Sequence, residues 1–204
     1  MVNCKDLRAV GGFWEDSLGD PNNCKFPVAP INTFTNLAYV LAGLVTWAHF
    51  QNWASAVFAI TMLLLGLGSG YFHGTKTRFS YKFDDNGMYV VFSALLVYAL
   101  NPHAPLVALI MAVVAALVVW FIGFGKQEAE LIHPFVGILT AVIVLKLILS
   151  GAALYGLVSF AVFGIAYAAY RDDKRRTFPW KRWGHGVWHL LTALAITLLF
   201  WGAR

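Results

Sequence analysis

Three histidines are placed where they can converge on one ion. His185 and His189 lie four residues apart at the start of the last apolar run of the 204-residue chain, and His73 closes an earlier run. Residues four apart share one face of a helix, so two imidazoles can point to one ion. A third histidine from another helix completes the ligand set of a catalytic zinc site with an open fourth position. Three histidines favour zinc over calcium or magnesium.

Two polar residues accompany these histidines. Asp84 follows His73 by eleven residues, across a short polar link from Gly74 to Phe83, and Ser69 precedes His73 by one helical turn. A carboxylate beside zinc can orient the activated water, or take its proton and pass it to a leaving group. The Ser69 hydroxyl can hydrogen-bond a developing oxyanion. The five residues together predict a hydrolytic site.

Histidines at helix ends also occur for structural reasons. His49, His103 and His133 are interpreted in that way, although His133 begins its apolar run on the same side as the predicted site. The five-residue set differs, because ionisable groups at membrane depth are costly and tend to mark function.

The composition predicts an all-α membrane protein, since 59% of the residues are hydrophobic and only 12% are charged. A span needs about 20 apolar residues, and in lipid they form a helix. We expect a seven-helix transmembrane bundle over residues 31–204 and a polar N-terminal segment over residues 1–30. The predicted spans are roughly 32–50, 54–74, 84–100, 104–124, 131–150, 152–170 and 183–202. The third begins with three polar residues, so a buried helix that does not cross also explains it.

The cations set the expected orientation. With seven spans, the N-terminal segment and the loops after spans two, four and six share one side. That side carries Lys5, Arg8, Lys25, Lys76, Arg78, Lys82, Lys126, Arg171, Lys174, Arg175, Arg176, Lys181 and Arg182. This asymmetry predicts a cytoplasmic N terminus and an outward C terminus, and the compact loops favour a bacterial inner membrane. Topology and anionic headgroups explain the net charge of +5, so no nucleic-acid partner is expected. Cys4 and Cys24 are then free thiols in a reducing compartment.

At these residues the chain resembles the superfamily of alkaline ceramidases, PAQR receptors and Per1-like proteins, often called CREST. The matching motifs are Ser69-Gly-Tyr-Phe-His73, Asp84 and His185-Gly-Val-Trp-His189. The run from Pro30 to Tyr39 also resembles the first-span signature of the ceramidase branch. The likeness covers residues from about 14 to 189.

The resemblance implies a zinc ion held by His73, His185 and His189, with Asp84 and Ser69 assisting the hydrolysis of an amide in a ceramide-like lipid. One departure concerns calcium, which acidic residues bind in the ceramidase branch. Lys25 and Ala29 stand closest to the first-span signature instead, and the acidic residues further upstream match no calcium loop. A solvated acidic stretch at Glu15, Asp16 and Asp20 is therefore preferred over a calcium site.

Other functions remain open from the sequence. A receptor or lipid sensor would hold the same zinc as a structural ion, with Asp84 as a fourth ligand, and a hydrolase could act on a lipid ester. Haem binding is disfavoured because axial ligands must oppose each other, and a transporter is disfavoured because no paired halves are visible.

Two groups of residues on the first and second predicted spans have two interpretations each. Asn32 and Asn36 either order polar groups near the metal, or cap the helix or bond to a neighbouring helix. Gly66, Gly68 and Gly70 either allow close helix approach or leave room for an acyl chain.

Overall fold

A computed structural model describes residues 26–122, 132–175 and 183–204, and these residues form helices and no strands. The all-helical fold is therefore confirmed for them. The helices in chain order are α1 (Pro30–Thr35), α2 (Leu37–Phe50), α3 (Trp53–Thr75), α4 (Arg78–Leu100), α5 (Pro105–Ile122), α6 (Ile132–Leu149), α7 (Ala153–Arg175) and α8 (Gly184–Gly202). Each predicted span overlaps one long helix, and α1 precedes α2 in the first. Both cysteines and the acidic stretch lie outside the described residues.

Three of these helices are long and apolar enough to cross a membrane, counted over the described part of the chain. They are α3, α7 as far as Arg171, and α8. Shorter apolar helical stretches run over Pro105–Val118 in α5 and Pro134–Leu149 in α6. These lengths and compositions are consistent with a membrane protein.

The connection between α3 and α4 is shorter than expected. Lys76 ends α3 with a left-handed backbone conformation at φ 51°, and Thr77 caps α4. Thr77 and Ser80 exchange hydrogen bonds between side chain and backbone in a capping box, which satisfies amide groups at the start of α4. The polar link predicted from Gly74 to Phe83 is wrong, because this cap starts the helix at Arg78 and the residues from there to Phe83 are helical.

The segment before α1 is attached to the end of α3. The Val28 amide donates to the Gly74 carbonyl at 3.0 Å, and the Ala29 amide donates to the His73 carbonyl at 3.1 Å. The last carbonyl groups of a helix have no partner within it, so these bonds satisfy two of them. They also fix α1 beside His73.

Helix α8 packs against α1, α2, α4, α6 and α7. Its Ile196 and Leu199 have no exposed surface, and its Phe200 ring stacks on Phe58 and on Tyr98 with centroid distances of 4.4 and 4.7 Å. Burial of this much apolar and aromatic surface holds α8 in one position. The first turns of α8, which carry His185 and His189, are thereby held in place.

Glycines bring α3 close to its neighbours. A Cβ atom at Gly68 would lie 2.7 Å from the Phe83 carbonyl oxygen, and one at Gly66 would lie 3.0 Å from the Asn36 carbonyl oxygen. At Gly70 the nearest atom would be 3.6 Å away. Close helix approach is therefore what Gly66 and Gly68 provide.

Candidate metal centre

Three histidine side chains meet at one end of the helix bundle. His73 lies in the last turns of α3, whereas His185 and His189 lie in the first turns of α8. Their available ring nitrogens all lie within 4.8 Å of one another. The rings are buried, with exposed fractions of 0%, 6% and 2%. The three predicted histidines are therefore close enough to hold one metal ion.

The spacing of the ring nitrogens fits a metal ion. Nε2 of His73 and Nε2 of His185 are 3.1 Å apart. Two nitrogens that each lie about 2.0 Å from a tetrahedral zinc ion are separated by about 3.3 Å. The rings contact each other edge to face, with centroid distances from 4.6 to 5.0 Å. The three rings are therefore packed closely enough to face one ion.

Thr35 at the end of α1 orients the His189 ring. Its Oγ1 lies 2.9 Å from Nδ1 of His189 and 3.2 Å from the Asn32 carbonyl oxygen. When Thr35 donates its single hydroxyl hydrogen to that carbonyl, its oxygen accepts the Nδ1–H of His189. The lone pair of Nε2 then remains available for a metal, as in metal sites whose histidines are held by a second hydrogen bond.

Lys76 contacts the ring nitrogen of His73 that faces away from His185. The Lys76 Nζ lies 3.1 Å from Nδ1 of His73 and 4.5 Å from the centroid of the Phe72 ring, and the residue is 4% exposed. An ammonium group only donates, so Nδ1 accepts and the ring proton of His73 resides on Nε2. A neutral imidazole binds a metal through its unprotonated nitrogen, so metal binding at Nε2 requires this proton to move to Nδ1 and the contact with Lys76 to open.

The two other predicted residues lie on the helices that carry or follow His73. Ser69 is buried on α3, and Asp84 is half-buried on α4. The group of mutually close ligand atoms consists of the three histidines and does not include Asp84. Asp84 interacts electrostatically with Tyr39, and the Tyr39 ring centroid lies 6.0 Å from that of His189. Asp84 therefore does not belong to the ligand set of the histidines.

Asp85 is more buried than Asp84 and has a partner of its own. It is 8% exposed and accepts a hydrogen bond from the phenol of Tyr81, one turn earlier on α4. Tyr81 precedes the predicted span 84–100. Burial raises the pKa of the Tyr81 phenol above its ordinary value, and the carboxylates of Asp85 and Asp84 raise it further. Tyr81 therefore remains a hydrogen-bond donor.

Sequence reasoning missed Thr35 and Lys76. A signal existed for each: Thr35 lies in the polar run from Asn32 to Asn36, and Lys76 is a cation within one turn of His73. Two other histidines, His49 and His103, have separate environments. His49 stacks on Trp201 with a centroid distance of 5.4 Å, and the His103 amide donates to Asn101.

No protein-family model matches the chain, and no curated protein matches it. Over the residues that the structure describes, fold and site together define an all-helical protein with three membrane-length helices and a candidate centre of three buried histidines.

Proposed function

We propose that this protein is an intramembrane zinc hydrolase that cleaves the amide bond of a ceramide-like lipid, as its resemblance to the alkaline ceramidase branch of the CREST superfamily implies. The observation that carries the proposal is the buried convergence of His73, His185 and His189. Three neutral imidazoles in one apolar bundle are what a zinc site with an open position requires.

The proposal includes seven membrane spans, with the N terminus in the cytoplasm of a bacterial cell and the C terminus outside. Its support beyond the three long helices comes from α5, which has no charged residue. Several large side chains of α5 are exposed, among them Leu106 at 67%, Ile110 at 51% and Phe121 at 79%. A continuous exposed apolar surface of this kind suits lipid better than water. The histidines then lie at the cytoplasmic end of the bundle.

A zinc ion, when bound, would lower the pKa of a water molecule so that it loses a proton and becomes a nucleophile near neutral pH. The three histidines would hold the ion, and the Thr35 hydroxyl would keep Nε2 of His189 free to bind it. Asp84 accepts a proton and returns it to the leaving amine nitrogen. The Ser69 hydroxyl donates a hydrogen bond to the oxygen of the attacked carbonyl as negative charge develops there.

The rival function is a PAQR-like receptor or lipid sensor in which zinc is structural. A closed structural site recruits four protein ligands. Asp84 is the fourth ligand that the sequence offers, and it stands outside the cluster of close ligand atoms. This arrangement supports an open site and therefore a hydrolase.

Elemental analysis of the detergent-purified protein tests the metal. We expect about one zinc per chain in the wild type and a large loss in His189→Ala, because two histidines bind zinc far more weakly than three. A folded wild-type protein without metal would refute the proposed function.

A second variant separates the hydrolase from the sensor. Asp84→Asn should retain zinc and lose about a hundredfold or more of its lipid-amide hydrolysis, since a general base contributes that much. Zinc that disappears together with the Asp84 carboxylate would identify Asp84 as a ligand and favour the structural site.

A further inference from the structure

Asn32 carries a buried side chain whose hydrogen-bonding capacity is unused. The residue has no exposed surface, and neither Nδ2 nor Oδ1 has a hydrogen-bond partner among the residues that the structure describes. A carboxamide offers two donors and an acceptor oxygen. Buried polar groups are nearly always satisfied, so an unsatisfied one points to a partner that binds.

The position of Asn32 places it beside the three histidines. Helix α1 begins at the end of α3, where the Ala29 amide meets the His73 carbonyl. On its other side α1 touches α8, where a Cβ atom at Gly186 would lie 3.5 Å from Oδ1 of Asn32. One turn after Asn32, Thr35 contacts the His189 ring. Asn32 therefore lies between the helix end that carries His73 and the first turns of α8.

The structural contacts of Asn32 do not involve its side-chain carboxamide. Asn36 donates from Nδ2 to the backbone carbonyl of Asn32 at 2.6 Å, and Thr35 also donates to that carbonyl. Both contacts involve the main chain of Asn32. No side-chain bond caps the start of α1, where Pro30 occupies the first turn. Within the described parts of the chain, the Asn32 side chain thus makes no hydrogen bond to a neighbouring helix.

We propose that Asn32 is a specificity-determining residue that pairs with the amide group of the bound lipid. Its Nδ2–H donates to the lipid carbonyl oxygen, and its Oδ1 accepts from the lipid N–H. An ester has the carbonyl oxygen but no N–H, so it leaves Oδ1 unsatisfied. This inference rests on the proposed function and selects the amide over the ester as the bond that the site recognises.

The test is a comparison of amide and ester binding by zinc-free protein, in which neither lipid is hydrolysed. The probes are a secondary lipid amide and the ester of the same chain lengths in detergent micelles, and the readout is the ligand-induced rise in unfolding temperature. From the dependence of this temperature on ligand concentration, we expect the wild type to bind the amide with about tenfold higher affinity than the ester. One hydrogen bond of ordinary net strength supports an affinity ratio of this size. In Asn32→Leu the ratio should fall to about one.

Thr140→Val is the matched control, because Thr140 is 3% exposed on α6 and its Oγ1 also lacks a partner within the described ranges. This variant should keep the wild-type preference. Asn32→Leu should melt no lower than the wild type without lipid, since it loses an unsatisfied polar group.

Three results would overturn the inference: a wild type with no amide preference, a preference that survives Asn32→Leu, or loss of folding in both Asn32→Leu and Asn32→Ala, which would make Asn32 structural. Zinc content measured on the same preparations separates the two proposals. A wild type that binds no zinc and prefers the amide would refute the hydrolase and retain the role of Asn32.

Discussion

Thr35 determines which nitrogen of His189 can meet a metal, because its hydroxyl occupies the other nitrogen at 2.9 Å. Thr35→Val keeps the shape of the side chain and removes this hydrogen bond. The His189 ring then loses both its fixed orientation and its preferred tautomer. We expect zinc affinity to fall by about tenfold or more, the range for such supporting residues, when measured by competition with a chelator.

Thr61→Val is the control for this substitution. Thr61 is buried on α3, and its hydroxyl bonds to the Phe58 carbonyl of its own helix at 2.8 Å. The control should leave zinc affinity unchanged. Equal affinity in Thr35→Val and the wild type would show that the Thr35 contact does not position His189.

The grouping of the three histidines could be predicted from the sequence, because it follows from residue spacing and from the order of the helices. His185 and His189 share a helix face through their spacing, and the number of intervening helices brings His73 to the same end. The contacts of Thr35 and Lys76 could not be predicted. They depend on how α1 sits on α3 and on the left-handed conformation at Lys76, which is uncommon for a residue other than glycine.

Among the elements, α3 and α4 are in close contact at Gly68. Gly68→Ala would place a methyl group 2.7 Å from the Phe83 carbonyl oxygen and force the two helices apart. We expect a loss of about 1–3 kcal/mol in the free energy of unfolding, measured as a lower unfolding temperature in detergent.

Gly70→Ala on the same helix provides the comparison. Its new methyl group would meet the Thr33 carbonyl oxygen at 3.6 Å and the Asn36 Cβ at 3.7 Å, which are ordinary contacts. The variant should be close to neutral. Equal destabilisation by both substitutions would mean that the approach of α4 at Gly68 does not explain the cost, since alanine favours a helix more than glycine does.

The order of the helices could be predicted from the apolar runs of the sequence, but the position at which α3 ends and α4 begins could not. Polar residues between Gly74 and Phe83 suggested a link, whereas the Thr77–Ser80 capping box starts α4 within that stretch. A capping box is a local signal, and it outweighs the polarity of the residues that follow it. Helix α4 consequently begins one and a half turns before Asp84 and presents that residue from a formed helix.

For the whole molecule, the outward-facing apolar side chains and the uneven distribution of cations bear on how the bundle sits in a membrane. The orientation of the bundle in the membrane can be measured by labelling variants that each contain a single cysteine. Ser150 is exposed in the connection between α6 and α7, which the proposed topology places outside the cell. Ser150→Cys, in a background without Cys4 and Cys24, should therefore react with a membrane-impermeant maleimide on intact cells.

Cys24 as the sole cysteine should react only after the membrane is permeabilised, because cation-rich segments stay on the cytoplasmic side. The histidines lie at the end of the bundle opposite Ser150, so this pattern would place the metal centre at the cytoplasmic face, where it receives lipid from the inner leaflet. Labelling of Cys24 on intact cells together with protection of Ser150→Cys would reverse the orientation and move the centre to the outer face. Labelling of both cysteines on intact cells would instead require an even number of spans between them, and the seven-span arrangement would then be wrong.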